Sequence, residues 1–152
     1  MPERRARRGG TYIAYGAVPA RNWTRTPIPR GNDRVIIQLG VNDWYVPVAP
    51  TRLRHDIDRL VARVRAANPG ARIAWVRTWM PVPTGDAGVR ARMWTRHGQV
   101  TAAAMRAADG AFLDMRTRPA PRRSTAPRDN GWHYNDRGHA EIAATLNAWL
   151  AR

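Results

Sequence analysis

The chain has no cysteine and no lysine, and serine and phenylalanine occur once each, as Ser124 and Phe112. Without cysteine, disulfides and thiolate metal sites are excluded, and the redox compartment stays undetermined. No hydrophobic run approaches the ~18 apolar residues of a membrane span. The four histidines, His55, His97, His133 and His139, lack the close spacing with acidic residues of a motif such as H-E-x-x-H. The sequence therefore calls for no metal and no cofactor. Acidic residues are also scarce: 11 stand against 26 basic ones, leaving a net charge of +15.

That charge invites a nucleic-acid reading, because basic surfaces attract phosphate backbones. Two features argue against it as the main function. Every basic residue is arginine, a pattern that codon composition explains as well as selected contacts do. The arginines are also dispersed, apart from Arg4, Arg5, Arg7 and Arg8 and the group Arg122, Arg123 and Arg128. No helix-turn-helix, zinc-finger or aromatic RNA-binding signature accompanies them. A length of 152 residues fits one domain, taken here as 1–152. Met1 to Gly10 is basic like the start of a signal peptide, but residues 11–20 are weakly apolar and hold two tyrosines, so a strand is the better reading. Localisation and oligomeric state stay undetermined.

Taken in order, Thr11 to Ala17 reads as a strand that ends at Gly16 and Pro19. Arg21 to Asp33 is a loop. Arg34 to Gly40 is a run of β-formers, as in a buried strand of a parallel sheet. Thr51 opens a helix with Leu53, Ile57, Leu60, Val61 and Val64 on one face, closed by Asn68-Pro69-Gly70. Arg72 to Trp79 is the next strand. Val89 to Ala108 is a helix, weakened by Gly98, and Ala111 to Met115 is a short strand. After a loop over Arg116 to Arg128, Asn135 caps a last helix whose apolar face is Ile142, Leu146, Trp149 and Leu150. Strands alternating with helices make a three-layer α/β/α sandwich with a flavodoxin-like, mostly parallel sheet.

Ligand sites in such sheets lie beyond the C-terminal ends of the strands. Gly16, the Gly40 to Asp43 segment, Trp79-Met80 and the loop holding His133 would gather at that edge. A capped helix directly after His133 would hold this histidine as a general base; the alternative, that His133 is only a polar loop residue, stays open on these residues alone. Trp44, Tyr45, Trp79 and Trp132 follow strand ends or flank His133. They suit an apolar substrate pocket or, equally, loops packed over the sheet edge.

Two segments together resemble the SGNH/GDSL hydrolase superfamily of esterases and lipases. Gly40-Val41-Asn42-Asp43 matches that family's Gly-x-Asn-Asp block at the end of a buried strand. Asn130-Gly131-Trp132-His133, followed by Asn135 and Gly138, resembles its last block, Asp-x-x-His. The strand ending near Gly16 resembles its second. The resemblance implies a three-layer α/β/α fold and hydrolysis of a small-molecule ester. It makes His133 the base, and it makes the Asn42 amide and the Gly16 backbone N–H the oxyanion donors. Asp43 braces its own turn.

The sequence departs from that pattern twice. No Gly-Asp-Ser block carries a nucleophile, and Ser124 stands on the wrong element, in the Arg/Pro loop nine residues before His133. In the family the strand bearing that block lies between those matched here to Thr11–Ala17 and Arg34–Gly40. Its absence suggests that the chain is the C-terminal part of a longer protein, with any export signal upstream. The second departure is Asn130 where the family has the orienting Asp. An amide there favours the wrong imidazole tautomer, so Asp129 is the competing orienter. A second reading is a non-catalytic relative that keeps the fold and binds an anionic partner with its basic surface.

Overall fold

The computed structural model describes the backbone of residues 11–15 and, in addition, residues 27–40, 48–77, 87–117 and 134–151. In chain order the elements are β1 (Thr11–Tyr15), β2 (Arg34–Gln38), α1 (Pro50–Ala67), β3 (Arg72–Arg77), α2 (Ala87–Ala107), β4 (Ala111–Asp114) and α3 (Asp136–Leu150). A 3₁₀ turn over Met115–Thr117 follows β4. The strands form one sheet in the order β1-β2-β3-β4, and every neighbouring pair is parallel.

Alternation along the strands explains the layers. Successive strand side chains point to opposite faces, and β2 divides accordingly. Val35 and Ile37 join a core with Leu53, Ile57, Leu60, Val61 and Val64 of α1 and with Ala104 and Met105 of α2. Ile36, between them, joins a separate core with Val76, Leu113, Met115 and the α3 residues Ile142 and Leu146. Helices α1 and α2 thus cover one face and α3 the other, the sandwich that the alternation of strands and helices predicts. Trp149, expected in the core, is half-buried: it packs against the rim of the α3-side cluster with Leu150.

The strands begin where expected; β2 ends two residues and β4 one residue earlier than expected, while the expected last residues of β1 and β3 lie outside the described residues. One pairing bears directly on the resemblance. Strands β1 and β2 are neighbours, in register from Thr11↔Arg34 to Tyr15↔Gln38. The two strands that the family separates by another are joined here, so the backbone groups on this edge of β2 have ladder partners.

Asn68 does more than end α1. It is buried, its backbone N–H bonds the Val64 carbonyl, and its side chain accepts from the Asn32 N–H (2.8 Å) and donates to the Pro29 carbonyl (2.9 Å). One side chain therefore caps a helix and pins the loop that delivers the chain to β2.

Candidate active site

Because all four strands are parallel, their C-terminal ends share one edge. Helix α3 runs the opposite way: Leu150, at its C-terminal end, accepts a hydrogen bond from Arg34 at the start of β2 (3.5 Å). The N-terminus of α3 therefore lies at the edge where the strands end. Among the described residues, this edge is reached at the ends of the four strands and again at Tyr134, just before α3.

Gly40 has φ +112°, a backbone conformation open to glycine and strained for side chains. This is the physical reason for a glycine at the head of the Gly-Val-Asn-Asp segment. Both ends of the stretch 41–47 are tied down. The Trp75 indole Nε1 on β3 donates to the Leu39 carbonyl at 3.3 Å, and the buried His97 of α2 reaches the Val48 carbonyl through Nε2 at 3.2 Å. A carbonyl can only accept, so this ring nitrogen carries the proton.

The start of α3 is equally fixed. Asn135 is its N-cap, with the side-chain oxygen accepting from the Gly138 N–H at 2.8 Å. Gly138 is buried in the first turn. Tyr134 packs against the α3-side core, and its ring meets His139 edge-on, centroids 6.1 Å apart. Tyr134 is the residue that directly follows His133.

A charged cluster sits at the same edge. Arg77 ends β3 and Asp114 ends β4, and they are partners in the ladder. Arg77 is 6% exposed. Its Nη1 lies 3.2 Å from Asp114 Oδ2, its Nη2 donates to the Trp94 carbonyl, and its guanidinium stands 5.0 Å from the Trp94 ring centroid. Arg116 closes the cluster with a 2.7 Å ion pair to Asp114. Burial pushes the Arg77 guanidinium down to about 10, with the Arg116 charge adding and Asp114 opposing. Burial would raise the Asp114 carboxyl, but hydrogen bonds from Arg116 and the charge of Arg77 outweigh it and hold the group below its ordinary range.

This cluster explains Gly98, which reads from sequence as a weakness in α2. A Cβ there would run into the Arg77 guanidinium, so the glycine lets the strand-end arginine lie against the helix. Sequence reading missed Arg77, Asp114, His97 and the tethering role of Trp75. The available signals were an arginine ending an apolar strand and a glycine twenty-one residues later in a helix.

The residues assigned from the sequence, Gly16, Asn42, Trp44, Tyr45, Trp79, Asp129, Asn130, Trp132 and His133, lie outside the described residues, as do Asp43 and Ser124. Among the described residues no group of three or more His, Asp or Glu side chains could hold a metal ion, and no helix is long and apolar enough to cross a membrane.

Comparison with solved structures identifies the fold. A protein from Lactobacillus plantarum superposes with a TM-score of 0.67 at 16% identity, over 93% of this chain and 76% of the other. A possible lipase from Chitinophaga pinensis gives 0.60 at 16% identity, over 84% and 75%. Phospholipase A1 from Streptomyces albidoflavus gives 0.56 at 15% identity, over 85% and 74%. No curated protein matches the chain in sequence. The family model for GDSL-like lipases and acylhydrolases matches residues 3–141, nearly the whole sequence, and the chain therefore belongs to the GDSL-like lipase/acylhydrolase family of hydrolases.

Proposed function

We propose that the chain forms one domain, 1–152, of the carboxylic-ester hydrolase type, with its site for small-molecule esters at the C-terminal edge of the sheet and without the nucleophilic Gly-Asp-Ser block. His133 is the general base, and the Asn42 amide and Gly16 N–H stabilise the oxyanion. Asp129 orients the imidazole. Trp44, Tyr45, Trp79 and Trp132 line the substrate pocket. The supporting observation is one of connectivity. Gly16 directly follows β1, Asn42 comes two residues after Gly40, and Trp79 comes two after Arg77. His133 immediately precedes Tyr134 and the Asn135 cap. Each assigned segment therefore adjoins a described element end on the same edge, the edge where open parallel sheets bind ligands.

The chemistry follows from residue types. An oxyanion forms when the ester carbonyl is attacked, and donors aimed at it stabilise the transition state more than the ground state. The base must accept a proton near neutral pH, which suits imidazole. The nucleophile is not among the residues assigned, since the sequence has no Gly-Asp-Ser block and its only serine, Ser124, stands in the Arg/Pro stretch before His133. The experiment is hydrolysis of p-nitrophenyl acetate and butyrate by the chain and by His133→Ala. Activity that falls by two or more orders of magnitude in the variant supports the reading; equal rates reject it. Within the same assay, Asp129→Ala should lower the rate more than Asn130→Ala, and the reverse order would remove Asp129 as the orienter.

The missing Gly-Asp-Ser block favours the second reading, a non-catalytic relative that binds an anionic partner. Salt-sensitive binding to DNA or anionic vesicles, with no ester hydrolysis, would establish it.

A further inference from the structure

The opposite edge of the sheet holds a cleft that the ester chemistry does not use. It has a volume of about 260 Å³ and is lined by Arg34, Val35 and Ile36 of β2, Arg72, Ile73 and Ala74 of β3, Ala111 of β4, and Trp149 and Leu150 of α3. Strand β3 separates it from the Arg77 cluster. At ~3.3 Å per residue, the five steps from Arg72 to Arg77 put the two ends of this strand roughly 17 Å apart.

Two observations on this cleft point to the same ligand. The first is its lining: apart from the two arginines it is aliphatic and aromatic carbon. The second is the charge at its mouth. Arg34 and Arg72 are partners in the first rung of the β2–β3 ladder, so their side chains leave the same face side by side. Like charges directly opposite in a sheet destabilise it. Among the described residues neither guanidinium is paired with a carboxylate, and the only hydrogen bond between either side chain and a described residue is the one from Arg34 to the Leu150 carbonyl. Two adjacent cations over an apolar hollow match a carboxylate on a hydrocarbon tail. The guanidinium forks can take the carboxylate oxygens in pairs, and the tail would lie against Ile36, Ala74, Trp149 and Leu150.

We propose that this cleft binds a medium-chain carboxylate, with Arg34 and Arg72 holding the headgroup. At about 260 Å³ the cleft lies just below the roughly 300 Å³ at which small-molecule pockets generally begin, which limits the ligand to a single chain of modest length. The site does not depend on the assignment of His133 or Asn42.

The test is calorimetric titration of the full chain with octanoate, octanol and acetate. Octanoate should bind, octanol should bind at least roughly tenfold more weakly for want of the charge-assisted bonds, and acetate should not bind measurably. The double variant Arg34→Gln/Arg72→Gln should weaken octanoate by a similar factor without lowering the melting temperature or changing any ester hydrolysis. Ala111→Phe keeps both charges, fills the hollow from the edge strand and should also weaken octanoate. No octanoate binding, equal affinities for octanoate and octanol, or octanoate affinity undiminished in both variants would overturn the proposal. The last result would place the ligand elsewhere on the protein.

Discussion

Strand β3 begins and ends with arginine, and the two residues meet opposite fates. Arg72 is exposed and lies beside Arg34 in the first rung of the β2–β3 ladder, a cation beside a cation. Arg77 is buried and lies beside Asp114 in the last rung of the β3–β4 ladder, a cation beside an anion. Four residues of strand thus separate a guanidinium that water and an open cleft accommodate from one that depends on its partners. In a chain whose basic residues are all arginine, residue identity says little about role; the rung and the helix above it decide. Opposed charges tie the ends of β3 and β4 together at the C-terminal edge. Unopposed charges at the N-terminal edge leave it open to a ligand.

The largest effect should come from breaking the paired end. Asp114→Asn leaves Arg77 buried beside a neutral amide. Removing one member of a buried pair costs about 3–5 kcal/mol, and Asp114 retains some exposure, so we expect about 3 kcal/mol from urea unfolding at pH 7. The same carboxylate gives a pH dependence whose sign is fixed. Its folded value lies below the ordinary 3.8, so its contribution is complete above that value and is lost as pH falls through the lower, folded value. Wild-type stability should drop more steeply than that of Asp114→Asn as the pH is lowered below about 4. Parallel curves would show that the pair contributes nothing.

Gly98→Ala tests the same end without touching a charge. The added methyl displaces the Arg77 guanidinium from Trp94, and overpacking of this kind costs about 1–3 kcal/mol. A neutral result in the same unfolding assay would mean that Arg77 moves aside freely. Asn135→Ala removes the cap of α3 and should cost about 1 kcal/mol. Because this cap anchors the residues next to His133, ester hydrolysis should fall by more than the stability loss explains. At the unpaired end, Arg72→Gln should change stability by no more than about 0.5 kcal/mol, as for surface substitutions. A loss of several times that would show that the two edges are not different after all.

Much of the fold was legible because it rests on local apolar patterns. The apolar run in Arg34–Gln38 points to a buried strand, the spacing of Leu53, Ile57, Leu60 and Val64 to a buried helix face, and both are buried. Asn135 was legible for a local reason: a cap needs only its own first turn. The Arg77–Asp114 pair was not, because the two residues lie 37 positions apart and meet only when β3 and β4 come into register. Nor could sequence reveal that Asn68 reaches back to Pro29 and Asn32, or that Trp75 and His97 hold the two ends of the segment carrying Asn42. These are tertiary contacts made by residues whose local patterns already had sufficient explanations. The direct pairing of β1 with β2 is of the same kind, because sequence order does not fix neighbours in a sheet. The assigned catalytic residues rest on motif and on their positions beside described element ends.

The most direct measurement is the rate of p-nitrophenyl butyrate hydrolysis by the wild-type chain and by Asn42→Ala, with unfolding curves to show that both are folded. Asn42 comes two residues after Gly40, whose positive φ accounts for the glycine, and it is assigned to a single task. Loss of one oxyanion donor lowers the rate by about 10²–10³, and that is the result expected here, with little change in KM. Equal rates for the two proteins would contradict an ester-hydrolysing site at this edge.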